Sequence, residues 1–281
     1  MPTVALDSGA VHYEETGSPD GRPVVFVHGY AMGASLWQPL IEGLAARGMR
    51  CIAPTWPLGA HPEPMRPGAD VTVRGVAAMI VEAFDRLSLD DVVLVGNDTG
   101  GALAQIVAGT HPDRLGALVL TGCDAFDHFP PPILKPLVAA SRSARLFRAA
   151  LIPVGTRLGR RRAYGALAHS DLEPLTAEWV KPALADRAIA DDLRRFTASM
   201  QQSVMLEAAS RLPTFTKPAL VAWSADDAFF PLEDGRRLAE TLPEARFELI
   251  EGARTFSMID QPDTLAGLID SFARTLSISP T

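Results

Sequence analysis

This sequence has few cysteines and lacks the glycine motifs that bind nucleotides. Only two of its 281 residues are cysteines, Cys51 and Cys123, and they form neither a CxxC pair nor a disulfide framework. No cluster of histidine and cysteine has metal-ligand spacing. The glycines at 96, 100 and 101 lack the GxGxxG spacing of a dinucleotide site, and there is no Walker lysine. We therefore expect neither a metal nor an organic cofactor.

Long apolar runs and an excess of basic charge are also absent. No uninterrupted apolar stretch approaches the roughly 20 residues of a membrane span, and the start of the chain does not have the pattern of a signal peptide. The formal net charge of −7 disfavours nucleic acid as a partner. The basic cluster of Arg157 and residues 160–162 indicates a solvated helix face or, alternatively, an anion site. We expect a cytoplasmic protein with no nucleic-acid and no membrane partner.

Short apolar runs alternate with helical patterns along most of the chain. Strands are predicted near residues 11–15, 24–28, 51–54, 92–96, 118–121, 219–224 and 246–250, and helices near 36–47, 76–87, 102–110, 232–242 and 264–276. Unalternating apolar runs suit strands that are buried on both faces, so the pattern predicts an α/β fold with a mostly parallel sheet flanked by helices. The first two strands are expected to form a hairpin that turns at residues 17–21.

The alternation stops between residues 124 and 211. Helical patterns occur there around residues 134–147, 177–188 and 191–209, without a convincing strand. We therefore divide the chain into residues 1–123 and 212–281, which form the two parts of the α/β core, and a helical cap insertion over residues 124–211. Long insertions after the ends of strands commonly form lids over a site.

Residues 96–101, Gly-Asn-Asp-Thr-Gly-Gly, follow the apolar run at 92–95 and precede a helical pattern. This strand–turn–helix pattern is typical of a nucleophile elbow, in which small residues flank the nucleophile because the turn leaves no room for side chains. An aspartate, Asp98, occupies the nucleophile position, where a serine is most common. The alternative is that Asp98 only caps the following helix, since carboxylates are favoured at helix N-termini.

Polar residues follow three further predicted strands. They are His28 with Tyr30 after the second strand, Asp124 at the start of the insertion, and the pair Asp226 and Asp227 after residue 224. Ligands of open α/β sheets bind beyond the carboxyl ends of the strands, so these groups are expected to converge with the elbow. The alternatives for Asp227 are a helix cap and an ion pair with Arg254.

In this order, the elbow, the strand-end polar groups and the insertion resemble the α/β-hydrolase superfamily over nearly the whole chain. The aspartate elbow resembles haloalkane dehalogenases, fluoroacetate dehalogenases and epoxide hydrolases. The resemblance implies that Asp98 is the nucleophile and that the backbone N–H groups of Tyr30 and Thr99 bind the developing anion. It also implies that Asp227 is the catalytic acid, with Asp226 as a neighbour in reserve. Asp124 lies where some dehalogenases keep an alternative acid or a halide-holding residue.

The chain departs from that pattern at two positions. Thr99 follows the nucleophile where dehalogenases have a tryptophan, and Thr255, or less favourably Arg254, falls where the base histidine belongs. No histidine follows His169 in the sequence, and neither threonine nor arginine accepts a proton from water near neutral pH. His128, early in the insertion, is a possible surrogate base, with a lid or surface position as the alternative.

Three hypotheses follow from these patterns. The first is a cofactor-free hydrolase that acts on a small apolar molecule through Asp98, with C–halogen or epoxide opening as the nearest chemistry. The second is a lyase, isomerase or cyclase that uses Asp98 as an acid or base without attack by water. The third is a ligand-binding protein on a degenerate hydrolase scaffold. The substrate and the oligomeric state cannot be inferred from the sequence.

Overall fold

The computed structural model describes residues 1–276 of the chain, and its centre is an eight-stranded sheet. The strands are β1 (Thr3–Leu6), β2 (Gly9–Gly17), β3 (Pro23–Val27), β4 (Arg50–Pro54), β5 (Val92–Asp98), β6 (Leu115–Cys123), β7 (Ala219–Ser224) and β8 (Ala245–Ile250). Their order in the sheet is β1-β2-β4-β3-β5-β6-β7-β8. Strands β3 to β8 pair in parallel, whereas β2 pairs antiparallel with both β1 and β4. The predicted α/β fold with a mostly parallel sheet is therefore confirmed.

The expected hairpin between the first two predicted strands is wrong. Strand β2 pairs with β4, which lies between β2 and β3, and the hairpin partner of β2 is the short edge strand β1. Residues 17–21 therefore connect two strands that are not neighbours. The sequence pattern did not reveal β1, because only four residues form it and only two of them, Val4 and Leu6, are buried.

Twelve α-helices lie within residues 1–276. They are α1 (Gln38–Ala45), α2 (Val73–Arg86), α3 (Thr99–Thr110), α4 (Lys135–Ala140), α5 (Ala144–Leu151), α6 (Arg157–Tyr164), α7 (Glu173–Ala185), α8 (Arg187–Ala198), α9 (Gln202–Arg211), α10 (Leu232–Thr241), α11 (Ser257–Asp260) and α12 (Pro262–Leu276). Helices α4 to α9 belong to residues 124–211, which we call the helical segment. Two of its predicted long helices are each split in two, and α6 contains the basic cluster that was expected to lie on a helix face.

Apolar side chains cover both faces of the sheet, as the unalternating strand runs required. On one face the strands pack against α2, α3 and α10, and on the other against α1 and α12. Successive residues of β5 illustrate this arrangement, because Val93 and Val95 face one cluster while Val92 and Leu94 face the other. Among the described residues, no helix has both the length and the hydropathy to cross a bilayer.

Candidate active site

A sharp turn at Asp98 joins β5 to α3. Asp98 has φ 54° and ψ −132°, a backbone conformation that non-glycine residues rarely adopt. The turn depends on close contacts at glycines: a Cβ on Gly100 would lie 2.0 Å from the carbonyl oxygen of Val27, and one on Gly29 would lie 2.2 Å from Asp98 Oδ1. A strained turn built around an aspartate is not required for capping alone, although Asp98 is also the N-cap residue of α3.

One carboxylate oxygen of Asp98 is held by two backbone N–H groups. Oδ1 accepts hydrogen bonds from the amide of Thr99 at 2.6 Å and from that of Tyr30 at 3.0 Å. The two N–H groups that the resemblance assigned to anion binding therefore bind the carboxylate of Asp98 itself. Burial raises the pKa of Asp98, the N–H groups of Thr99 and Tyr30 oppose that rise, and the charge of Asp227 adds to it.

Asp98 opens into a cavity of about 310 Å³ between the sheet edge and the helical segment. Among the described residues that line the cavity, Asp98 is the only one with a charged side chain, and the rest are almost all apolar. Most of the lining comes from the helical segment, including Leu137, Leu151, Val180 and Leu193. The site therefore presents one carboxylate to an apolar space that suits a small, uncharged molecule.

The few polar side chains in the cavity wall are bonded to the protein. The hydroxyl of Tyr164 donates to the carbonyl oxygen of Ala31 at 2.9 Å, and the indole N–H of Trp179 donates to Ser35 Oγ at 2.8 Å. Burial raises the pKa of Tyr164, and the charge of Asp98, which lines the same cavity, raises it further. The sequence analysis missed Tyr164, since a single tyrosine in a helical insertion carries no motif.

Asp124 lies behind the elbow rather than in the cavity wall. It is fully buried; Oδ2 accepts a hydrogen bond from Thr99 Oγ1 at 2.9 Å, and Oδ1 has no partner. Burial and the charge of Asp98 raise the pKa of Asp124 well above its ordinary value, and the Thr99 hydroxyl opposes the shift only in part. The Thr99 side chain thus points to a buried acid, where it offers no donor to a leaving group in the cavity.

Asp227 lies near the elbow, and Thr255 is one of the residues that donate a hydrogen bond to its carboxylate. Oδ1 of Asp227 accepts from the amides of Phe229 at 2.9 Å and Phe230 at 3.0 Å and from Thr255 Oγ1 at 2.8 Å. Oδ2 is buried and has no partner, and a Cβ on Gly122 would lie 2.6 Å from it. Burial raises the pKa of Asp227, and the amide donors oppose the shift.

The alternatives for Asp227 do not hold. Arg254 donates to the carbonyl oxygen of Ala168 at 3.2 Å and makes no ion pair with Asp227 within residues 1–276. The carboxylate of Asp227 binds the amides that precede α10, and the N-cap residue of that helix is Pro231. Asp226 is exposed and pairs with His169 on the surface, so it is not part of the site.

The structure does not bring a histidine to Asp98. His128, the expected surrogate base, is 51% exposed, pairs with Asp234 and does not line the cavity. His28 is buried beneath the loop, where its Nε2 accepts from the Trp56 amide at 2.9 Å. Burial lowers the pKa of His28 to about 4, so this ring is a neutral part of the scaffold. His128 is exposed because it follows β6 on a turn that packs against α10 rather than over the elbow.

Asn97, which was also missed, links the elbow to the position of the absent histidine. Its buried amide donates to the carbonyl oxygens of Thr121 at 3.2 Å, Gly122 at 3.0 Å and Thr255 at 3.0 Å. These contacts hold β5, β6 and the loop after β8 together. Asn97 thereby fixes Thr255 beside Asp227, although its position next to Asp98 was the only signal in the sequence.

The site is unusual in its charge. Three carboxyl groups, Asp98, Asp124 and Asp227, lie at the elbow, and none forms an ion pair with Lys, Arg or His within residues 1–276. The same residues contain no cluster of three or more His, Cys, Asp or Glu side chains that could hold a metal ion. Adjacent buried carboxyl groups cannot all be ionised, so they share protons. The arrangement can supply one anion and one or more neutral acids.

A family model described as alpha/beta hydrolase fold matches residues 22–262. Haloalkane dehalogenase 2 of Mycobacterium tuberculosis is 28% identical over 277 residues, which cover 93% of this chain and 90% of the relative. The 2-hydroxy-6-oxononadienedioate/2-hydroxy-6-oxononatrienedioate hydrolase 1 of Pseudomonas putida is 27% identical over 273 residues, which cover 93% and 91%. A solved haloalkane dehalogenase from Bradyrhizobium elkani superposes with a TM-score of 0.80 at 18% identity, covering 97% of this chain and 96% of that one. The chain therefore belongs to the α/β-hydrolase fold family, as an enzyme of the hydrolase type.

Proposed function

We propose that Asp98 attacks an electrophilic carbon of a small apolar substrate and forms an alkyl ester. The observation that carries this proposal is that Asp98 is the one charged side chain in an otherwise apolar cavity, with Oδ1 held by two N–H groups. Oδ2 is left to form the bond to carbon, while the halide or the epoxide oxygen departs with the electron pair. An acyl substrate is disfavoured, because attack by a carboxylate would give an anhydride.

Within this class, epoxide opening and halide displacement both need donors that the cavity wall already uses in internal hydrogen bonds. The oxygen of an opened epoxide needs a proton, and the Tyr164 hydroxyl, which lines the cavity, can supply it only when it leaves the carbonyl oxygen of Ala31. A departing halide needs N–H groups that hold it, but the Thr99 side chain bonds Asp124 and the Trp179 indole bonds Ser35. The dicarboxylate named for the Pseudomonas putida relative fits less well, since no Lys or Arg lines the cavity among the described residues.

The proposal assigns proton holding to Asp124. Two backbone N–H groups stabilise the anion of Asp98, whereas Asp124 receives one hydroxyl bond and keeps one oxygen without a partner. The shared proton is therefore better placed on Asp124, and Asp98 remains the anion. In this role Asp124 is a positioning residue that acts on Asp98 through Thr99.

Asp227 is our candidate for the missing base. Its Oδ2 is buried and has no hydrogen-bond partner, and its charge raises the pKa of Asp98. The pKa of Asp227 is itself raised, which makes this carboxylate a stronger base than an exposed one. Water would attack Cγ of the Asp98 ester, give one proton to Asp227, and release the alcohol, which takes that proton back. We expect hydrolysis of the ester by Asp227 to be slow. A single positioned general base contributes about 10²–10⁴ in rate, and a carboxylate is a weaker base than imidazole.

Intact-protein mass spectrometry tests the nucleophile. After incubation with a panel of small epoxides and haloalkanes, we expect an adduct of the mass of the opened epoxide, located at Asp98 by peptide mapping. Asp98→Asn should give none, whereas Asp226→Asn, which changes an exposed carboxylate outside the cavity, should be labelled like the wild type. No adduct with any member of the panel, or equal labelling of Asp98→Asn, would overturn the proposal.

A second candidate function is a lyase, isomerase or cyclase that uses Asp98 as an acid or base. The observation that favours it is that, within residues 1–276, no histidine hydrogen-bonds the Asp98 carboxylate, since such reactions need no water attack on an ester. Products formed in ¹⁸O-labelled water separate the two. Hydrolysis with Asp98 as nucleophile puts the label first into the Asp98 carboxylate and, over later turnovers, into the product alcohol, while the second candidate leaves both unlabelled. Tight binding with no Asp98-dependent turnover would instead indicate a ligand-binding protein.

A further inference from the structure

The outer face of the helical segment carries an unbalanced positive charge. Residues 129–170 contain eight of the chain's 26 Lys and Arg side chains and none of its 33 Asp and Glu side chains. The chain as a whole has a formal charge of −7, so the remainder is more acidic than that value suggests. This separation of charge runs against the composition of the chain, and it is confined to one part of the fold.

Most of these cations have no acidic partner. Seven of them are exposed and form no ion pair within residues 1–276, namely Lys135, Arg142, Arg145, Arg148, Arg157, Arg161 and Arg162. The eighth, Arg160, is part-buried and pairs with Glu173 of α7. Elsewhere in the protein exposed arginines such as Arg74, Arg86 and Arg211 pair with carboxylates. The free cations are therefore available to an external anion.

The same region exposes apolar side chains. Leu146 of α5, Ile152 just after it and Leu158 of α6 are 62%, 66% and 65% exposed. Together with Ile133 and Leu184 they make up five of the eight large hydrophobic side chains that are exposed in residues 1–276. Four of these five side chains lie on consecutive elements between residues 133 and 158, and exposed apolar patches on monomeric soluble proteins mark contact sites.

The apolar patch is continuous with the mouth of the cavity. Ile152 and Arg148 share a small surface hollow with Leu151 and Leu184, and the last two also line the cavity that contains Asp98. Ile133, which is 54% exposed, lines the cavity as well. A molecule held at this face would therefore lie at the entrance to the site.

We propose that this face, formed by residues 133–162 and Leu184, docks on an anionic lipid bilayer. Exposed leucine and isoleucine interleaved with arginine suit the boundary between headgroups and acyl chains, where apolar side chains insert and cations meet lipid phosphates. Nucleic acid would satisfy the cations but would leave the apolar side chains in water, and an acidic protein surface would do the same. The proposal is contrary to the expectation from the sequence of no membrane partner, and it involves surface contact rather than a spanning helix.

Vesicle flotation tests the proposal with the full chain. We expect binding to vesicles in which a third of the phosphatidylcholine is replaced by phosphatidylglycerol, and at least about tenfold weaker binding to phosphatidylcholine alone. Raising the salt to about 0.5 M, where the Debye length falls to a few ångström, should release most of the protein. Absence of binding to the anionic vesicles at low salt would overturn the proposal, as would tighter binding to a short DNA duplex than to those vesicles.

Matched variants separate the face from the overall charge. Replacing Arg157, Arg161 and Arg162 together by Gln should weaken binding at least about tenfold. The same charge change at Lys217, Arg246 and Arg274, outside the helical segment, should leave it unchanged. L146S/I152S/L158S keeps every charge and should also weaken binding, because the insertion of apolar side chains is lost. Equal losses in the two charge variants, or full binding by the serine variant, would contradict docking by this face. Thermal unfolding of each variant verifies that it folds.

Discussion

The α/β core and the helical segment contribute to the site in different ways. The core supplies the chemistry through backbone geometry, since the strained turn at Asp98 and the amides of Tyr30 and Thr99 fix one carboxylate oxygen. The helical segment supplies most of the apolar wall and, in Tyr164, one of the few hydroxyl groups in that wall. Under the proposed function, reactivity depends on close packing in the core, whereas the choice of substrate depends on side chains that the helical segment can change without disturbing the elbow.

The largest expected effect comes from restoring a histidine in the core. Thr255→His places imidazole next to Asp227, and we expect hydrolysis of the Asp98 ester to accelerate by about 10²–10⁴, the usual contribution of a general base. The measurement is the rate at which the adduct mass disappears after excess epoxide is removed. Thr255→Val, which removes the hydroxyl bond to Asp227 without adding a base, is the control. If a folded Thr255→His protein loses the adduct at the wild-type rate, the lack of a general base does not limit hydrolysis of the Asp98 ester.

A methyl group beside the nucleophile should have the next largest effect. Gly29→Ala would place Cβ 2.2 Å from Asp98 Oδ1, so the carboxylate must leave its two amide donors. We expect about 10²-fold slower labelling of Asp98, because moving a reacting group by about 1 Å can reduce the rate by about that factor. Gly267→Ala, whose Cβ meets no atom within 4 Å in helix α12, should label at the normal rate. Equal rates for the two variants would mean that the amide pair does not orient Asp98.

Filling the cavity should change selectivity and leave the elbow intact. Ala183 lines the cavity from α7, and Ala183→Phe should slow labelling by larger epoxides about tenfold while the smallest epoxide reacts at nearly the normal rate. Ala185→Phe on the exposed surface of the same helix, outside the cavity lining, is the control. A uniform loss across the panel would show instead that the helical segment affects Asp98 itself.

The smallest expected effect concerns stability and pH. The folded-state pKa of Asp124 is raised, so between its ordinary value near 4 and the raised value the folded protein binds more protons than the unfolded chain. The free energy of unfolding should therefore fall as the pH rises through that range, by about 1.4 kcal/mol for each unit of pH. Asp124→Asn should lose this slope in urea titrations at several pH values. An identical slope in wild type and variant would mean that Asp124 does not hold the buried proton.

The sequence predicted the core elements more closely than those of the helical segment. Strand β7 was predicted at its observed bounds and β3 within one residue. A short, continuous apolar run that is bounded by polar residues is typical of a strand buried on both faces. The partner of β2 was wrong because pairing depends on how the whole sheet is ordered. In the helical segment, α8 and α9 were predicted as one helix, since the break at residues 199–201 shows no strong signal such as glycine or proline.

By itself, the sequence determined the α/β fold and the elbow with its aspartate. Local sequence patterns are sufficient for both. An apolar strand followed by glycines at 96, 100 and 101 favours the sharp turn in which the backbone packs closely around Asp98. Only the tertiary structure decided which groups surround Asp98: it placed Tyr164 in the wall of the same cavity and left His128 on the surface. It also left the cations and several leucine and isoleucine side chains of the helical segment exposed. Such groupings depend on contacts between residues far apart in the chain, which a local pattern does not encode.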